Sequence, residues 1–65
     1  MKLFDIPRGS RIKTTLTSGK ECFITFHHTD GMYSYCTLDD SDPDNVLHLS
    51  VVTELKKVED YYEII

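Results

Sequence analysis

The chain has 65 residues, 40% of them hydrophobic and 28% charged, with a formal net charge of −4. A chain this short forms one domain, residues 1–65, and buries only about 60% of the surface that its unfolded form exposes, which leaves no room for a deep enclosed pocket. The composition is that of a folded chain, no apolar run nears the roughly 18 residues of a membrane span, and the acidic balance opposes a generic nucleic-acid binder, which carries a basic face.

The opening "MKLFDIPRGS" lacks the apolar stretch of a signal peptide, so a cytoplasmic location is expected. Within it, Pro7 fixes φ and Gly9 permits a turn. "SRIKTTL" then alternates, with Ile12, Thr14 and Leu16 on one face and Arg11, Lys13 and Thr15 on the other. That is the pattern of a half-buried strand. "TSGK" at 17–20 reads as a hairpin turn in which Gly19 takes a positive φ.

"ECFITFHH" is the second strand and "MYSYCTL" the third, joined at Asp30–Gly31. Asp-Gly between two β-rich runs is the strongest short hairpin signal. With those two residues as the turn, His28 faces Tyr33, His27 faces Ser34, Phe26 faces Tyr35 and Thr25 faces Cys36. Cys22, Ile24, Phe26, His28, Tyr33, Tyr35 and Thr37 then share the face with more apolar area, which is assigned to the core. The same register puts Cys22 and Cys36 on opposite faces. Two cysteines are too few for a secreted disulfide scaffold, and both read as free thiols in a reducing compartment.

"DDSDPDN" is an acidic loop, and "VLHLSVV" a fourth strand. "TELKKVEDYYEII" fits a short helical or 3₁₀ turn near 54–57 followed by a closing strand. Its final Ile64 and Ile65 leave two outcomes open: the strand seals its own sheet, or it pairs with a second copy at an edge. The expected architecture is all-β: a small, five-stranded, strongly bent barrel with meander order.

The densest chemistry is "HHTDGMYSYC" at 27–36. Neighbouring strand residues point to opposite faces, so His27 and His28 are not expected to share a metal, and the Cys spacing of a zinc site is absent. "DSDPDN" resembles the start of a calcium loop, but Asn45 stands where the loop needs glycine and Val51 where it needs glutamate. Cys36 and His27 would sit diagonally on one face, yet no oxyanion hole or phosphate loop accompanies them. No catalysis, metal or cofactor is expected. The candidate binding residues are His27, His28, Tyr33 and Tyr35, with Arg11 and Lys13 as the nearest cations. Tyr and His at a rim combine an apolar body with a hydrogen-bonding tip.

"LTSGKECFITF" followed by "DGMYSYCTLDD" resembles the first half of an Sm-like or SH3-like small barrel. Phe26, Asp30, Met32, Leu38 and Asp40 echo the first Sm motif, over about residues 10–52. Tyr33 follows Met32 where that family has its RNA-contacting asparagine, and "VLHLSVVT" lacks the Arg-Gly of the second motif. The resemblance therefore implies a fold and does not carry RNA binding with it. The short, acidic, all-β style is also similar to small proteins of tailed phages and mobile elements, many of which bind a host protein or a nucleotide. The expected function is a binding module acting on a protein partner or on a second copy of itself. The alternative is RNA or a nucleotide held by an aromatic and basic hairpin surface.

Overall fold

The computed structural model describes residues 1–38 and 45–65. The protein is all-β, with no α-helix among those residues. Its strands are β1 (Arg11–Thr15), β2 (Glu21–Asp30), β3 (Tyr33–Leu38), β4 (Val46–Leu47), β5 (Leu55–Val58) and β6 (Tyr61–Ile64). They form one mixed sheet in the order β4-β3-β2-β1-β6-β5, which does not close. The expected five-stranded barrel is thus a six-stranded open sheet. The meander holds only from β1 to β4. β6 lies parallel to β1, with Ile12 beside Tyr62 and Lys13 beside Glu63.

The two glycine turns that punctuate the first half form as the sequence requires. Gly9 and Gly19 both have φ of 89°. The Gly19 amide donates to the Leu16 carbonyl at 2.9 Å, and β1 returns as β2 with Thr15 opposite Glu21. Alternation in β1 turns Ile12 fully inward while Arg11 and Thr15 stay exposed.

The second half departs from expectation. Residues 55–58 are strand, and the 3₁₀ turn lies instead at Leu3–Asp5. There it buries Leu3 completely, and it stops because Ile6, the residue before Pro7, is held extended. β5 and β6 form a tight hairpin in which Val58 faces Tyr61 across Glu59 and Asp60. Glu59 takes φ of 37°, a conformation that glycine or asparagine would adopt more readily. No glycine marks this turn in the sequence, so the hairpin has no local signature there. β6 is flanked on both sides, by β1 and β5, so it offers no free edge to a second copy.

The core is small. Leu3, Ile12, Ile24, Leu55 and Cys36 are fully buried, joined by Ile6, Phe26 and Tyr62. Each fully buried aliphatic side chain contributes roughly 1.5–3 kcal/mol. Backbone bonds knit segment 49–55 between the start of β3 and the N-terminal segment. Ser34 and Val51 donate to the Leu49 and Met32 carbonyls at 2.7 and 3.0 Å. Leu3, Phe4 and Leu55 donate to the Thr53, Val51 and Met1 carbonyls at 3.0, 3.1 and 2.7 Å. The acidic stretch 39–44, with the calcium reading placed on it, lies outside the described residues. No helix among the described residues is long and apolar enough to cross a membrane.

Glu54 anchors this seam. Its carboxylate meets the Lys2 amine at 2.8 Å and the Met1 ammonium at 2.9 Å. Bonding to Lys2 first, and to the terminal ammonium second, lowers its pKa to about 2. A depressed carboxylate stabilises the fold above its unfolded pKa and loses that contribution as pH falls through the folded one. Acid unfolding monitored by circular dichroism should therefore show stability declining from about pH 5 toward pH 2, and Glu54→Gln should flatten that decline. Glu59→Gly should relieve the positive φ and raise stability by up to about 1 kcal/mol in chemical denaturation; an unchanged or lowered midpoint would mean that Glu59 is unstrained.

Candidate functional site

The β2–β3 hairpin is set by two features that the sequence register did not contain. Its turn centres on Gly31 and Met32, with Asp30 opposite Tyr33, Thr29 opposite Ser34 and His28 opposite Tyr35. Gly31 supplies the positive φ, 65°. Relative to an Asp30–Gly31 turn this moves the pairs from Asp30 to His28 by two, which leaves their faces unchanged. The second feature is a β-bulge between Phe26 and His28, beyond which Phe26 faces Cys36 and Thr25 faces Thr37. A bulge inserts one residue, here His27, and a one-residue slip exchanges the faces.

The consequence is a correction to the predicted core. Phe26, Ile24 and Cys22 are buried as expected, but they meet Ser34 and Cys36 of β3, which are 1% and 0% exposed. Tyr33 and Tyr35, assigned inward from the sequence, point outward at 58% and 38% exposure. His28 is exposed with them. Cys22 and Cys36 are both buried and both free, rather than on opposite faces. Burial pushes the Cys36 thiol pKa up, with partial opposition from its 3.4 Å contact with the Ser34 hydroxyl. An inward thiol cannot meet the outward His27, so the diagonal Cys36–His27 pair does not form.

The bulge also undoes the expectation that His27 and His28 face apart. Both oppose Tyr35. The His28 ring stacks on it, with centroids 5.2 Å apart and planes 8° from parallel. The His27 ring meets it edge-on at 6.3 Å. His48, which the sequence reading passed over, meets it edge-on from the other side at 5.6 Å. All three histidines of the chain therefore surround one tyrosine. Among the described residues no group of three or more His, Cys, Asp or Glu side chains is placed to hold a metal ion.

Hydrogen bonds fix two of the three rings. His27 Nε2 shares one with the Thr37 hydroxyl at 2.8 Å. His48 Nδ1 lies 3.1 Å from the Ser34 carbonyl, which can only accept, so Nδ1 carries the proton. Ser34 holds His48 in a second way. Its buried hydroxyl donates to the Leu49 carbonyl at 3.0 Å and accepts from the Leu49 amide at 3.2 Å. The signal for His48 was thus the small, polar Ser34 at an inward position, a docking point for a neighbouring backbone.

Arg11 and Lys13 do not join this cluster. The Arg11 guanidinium lies 4.6 Å over the Phe23 ring, which meets Tyr61 edge-on at 5.2 Å. The Lys13 amine pairs with Glu21 at 2.9 Å, and the hydrogen bond to Glu21, then its charge, raises the Lys13 pKa. A shallow, largely polar depression of about 200 Å³ beside Lys13 is lined by Thr15, Glu21, Glu63 and Ile64. The two clusters are bridged on the sheet by Thr25, which pairs with Arg11 on one side and Thr37 on the other.

No family model, no curated protein and no solved structure matches this chain. The site is therefore read from its geometry alone.

Ser34→Ala should cost about 1–3 kcal/mol, because it strands the Leu49 amide in a half-buried position while the Leu49 carbonyl keeps only its bond from the Ser34 amide. It should also release His48 from Tyr35, read as a change in the His48 and Tyr35 ring resonances and the loss of ring contacts between them.

Proposed function

We propose that this protein is a small binding module, acting by contact rather than catalysis, and that the outward face around Tyr35 engages a protein partner or a second copy of the chain. The observation that carries the proposal is the packing of three histidine rings against one exposed tyrosine, at centroid distances of 5.2–6.3 Å. Tyr33 and Met32 extend the same hairpin to its tip at 58% and 66% exposure. Tyr and Met are enriched at protein interfaces, where a ring or thioether gives contact area with little ordering cost. A short chain with a scarce core gains from burying tyrosines, so turning two of them to solvent runs against its own stability. Such local conflicts concentrate at functional positions.

Self-association fits the hairpin face and not the C-terminal strand, because β6 already has a neighbour on each side. The Sm-like or SH3-like resemblance and the cytoplasmic setting belong to the same proposal. A bent open sheet with function carried on its outer surface is compatible with both, and surface residues rather than the fold decide what is bound.

One observation favours the second reading, RNA or a nucleotide. Arg11 over Phe23, beside Tyr61, is a cationic and aromatic surface on which a base could stack. The internal pairing of Lys13 with Glu21 and the formal charge of −4 weigh against it.

Capture from a cell lysate at pH 7.5, at low and at high salt, tests the proposal. Partners that bind the hairpin face through apolar contact should persist at high salt and be lost with Tyr35→Ala, whose fold is checked by circular dichroism. Phosphate contacts weaken steeply with salt. Retention that is indifferent to Tyr35 would remove this face from the function, and salt-labile capture of nucleic acid would favour the second reading.

A further inference from the structure

The seam between the hairpin tip and the N-terminal turn carries a second group of outward apolar side chains. Three backbone segments lie side by side there. The Val51 amide donates to the Met32 carbonyl at 3.0 Å, and the Phe4 amide donates to the Val51 carbonyl at 3.1 Å. Tyr33 bridges Ser50 along the same seam. The exposed Met32 and Tyr33 are thereby joined by Phe4 and Val52, at 55% and 50% exposure. Phe4 is one of the chain's three phenylalanines. The 3₁₀ turn that carries it gives its inward position to Leu3 and leaves the larger ring in water. Large apolar side chains exposed singly are ordinary, whereas a contiguous group marks a contact surface.

Val52 adds an independent sign. Residues 50–53 form a tight turn, closed by the Thr53 amide donating to the Ser50 carbonyl at 3.0 Å, with Val51 and Val52 at its centre. Turn centres are usually Gly, Pro, Asn, Asp or Ser, which favour the bend through their own backbone or side-chain bonds. Valine is stiff and suits a strand. Here the flanking residues hold the turn instead. The Thr53 hydroxyl donates to the Ser50 carbonyl at 2.7 Å, and the Val52 amide donates to the Ser50 hydroxyl at 3.4 Å. The corner can then carry an apolar side chain outward against local preference, and such conflicts concentrate at functional positions.

Two carboxylates border the group. Asp30 pairs with Tyr33 across the hairpin, and Asp5 follows Phe4; both are exposed. Asp5 accepts a long bond, 3.4 Å, from the Lys2 amide. The Lys2 amine is taken by Glu54 at 2.8 Å. Arg8 lies past Pro7, where Gly9 donates to the Phe26 carbonyl, four residues back along β2 from Asp30.

We infer that Phe4, Met32, Tyr33 and Val52, bordered by Asp5 and Asp30, form a docking surface for a short polypeptide segment that carries apolar side chains beside lysine or arginine. This deepens the binding-module reading and rests on it, committing it to a separate protein partner and extending the contact from the hairpin tip across the seam. A second copy is the poorer occupant. A two-fold contact uses the same patch on both sides. It would bring Asp5 and Asp30 of both chains to one border, on molecules that each carry a formal charge of −4, and like charges set together cost affinity. A standard interface takes about 800 Å² from each partner. Four partly exposed side chains fall short of that, which suits a segment rather than the face of a domain.

The test titrates the full chain at pH 7.5 with three fluorescent polymers of matched length: a random copolymer of lysine and tyrosine, polylysine, and a random copolymer of glutamate and tyrosine. The lysine–tyrosine copolymer should bind at least about tenfold more tightly than either of the others. The double variant F4S/V52N leaves every charge in place, and should lower that affinity about tenfold with polylysine binding unchanged. Asparagine suits a turn centre, so Val52→Asn alone should keep or raise the midpoint of chemical denaturation, which separates weaker binding from a weaker fold. The variant D5N/D30N should narrow the advantage of the lysine copolymer over the glutamate copolymer. Equal affinity for those two copolymers in the unmodified chain, polylysine matching the lysine–tyrosine copolymer, or binding unchanged in F4S/V52N would overturn the inference. So would sedimentation showing a dimer of the full chain that F4S/V52N loses, because a second copy would then occupy the surface. Failure here, with Tyr35-dependent capture intact, would remove this surface and leave the binding module standing at the histidine face.

Discussion

One extra residue in β2 organises the outward face of the β2–β3 hairpin. Without the bulge at His27, the observed turn would set Phe26 opposite Thr37 and place Tyr33 and Tyr35 on the same face as Phe26 and Ile24. With it, Phe26 opposes Cys36, and the inward row of β3 becomes Ser34 and Cys36. Small inward side chains let segment 48–50 approach closely enough for Ser34 to bond both backbone groups of Leu49. That approach delivers His48 to Tyr35. The core, the chain path after β4 and the histidine cluster therefore share one cause. A bulge leaves a residue out of the ladder and bends its strand, and it is found where a side chain must be re-aimed.

The remaining stability comes from joining distant pieces of chain. Residues 49–55 carry few strand hydrogen bonds of their own, yet they link β3 to the N-terminal turn through a run of backbone bonds. Leu3 and Ile6 then plug the core from a segment nearly fifty positions away in sequence from Leu55. Long loops cost little extra to close once their ends are held, so a short chain can afford this kind of long-range closure.

The sequence made the all-β class, the first strand, both early glycine turns and the inward row of Cys22, Ile24 and Phe26 legible, because each has a local signature in alternation or in glycine. It named His27, His28, Tyr33 and Tyr35 as candidates from composition. The structure brings His27 and His28 to Tyr35, leaves Tyr33 nearer the tip, and sends Arg11 and Lys13 to a different cluster. What was not legible follows from two limits. A bulge has no composition of its own, so counting apolar area gave the tyrosine face to the core when Ser34 and Cys36 occupy it. The β5–β6 hairpin turns through Glu59 and Asp60 with no glycine, so its strand looked like a helical turn.

His48 illustrates the harder limit. In the sequence it sits alone in "VLHLSVV", in an apolar setting where a lone histidine reads as incidental. Its significance depends on the Ser34 hydroxyl, fourteen positions earlier, and on a bulge at His27, seven positions before that. Neither the hydroxyl nor the bulge would single it out without the other. A chain with a scarce core has reason to bury tyrosine and to avoid an unpaired strand residue, and this one does neither at the β2–β3 hairpin. The two departures coincide at a single ring, and all three titratable imidazoles of the chain converge on it. Two exposed tyrosines on a chain with so few buried side chains are the support that the proposed binding role draws from the fold.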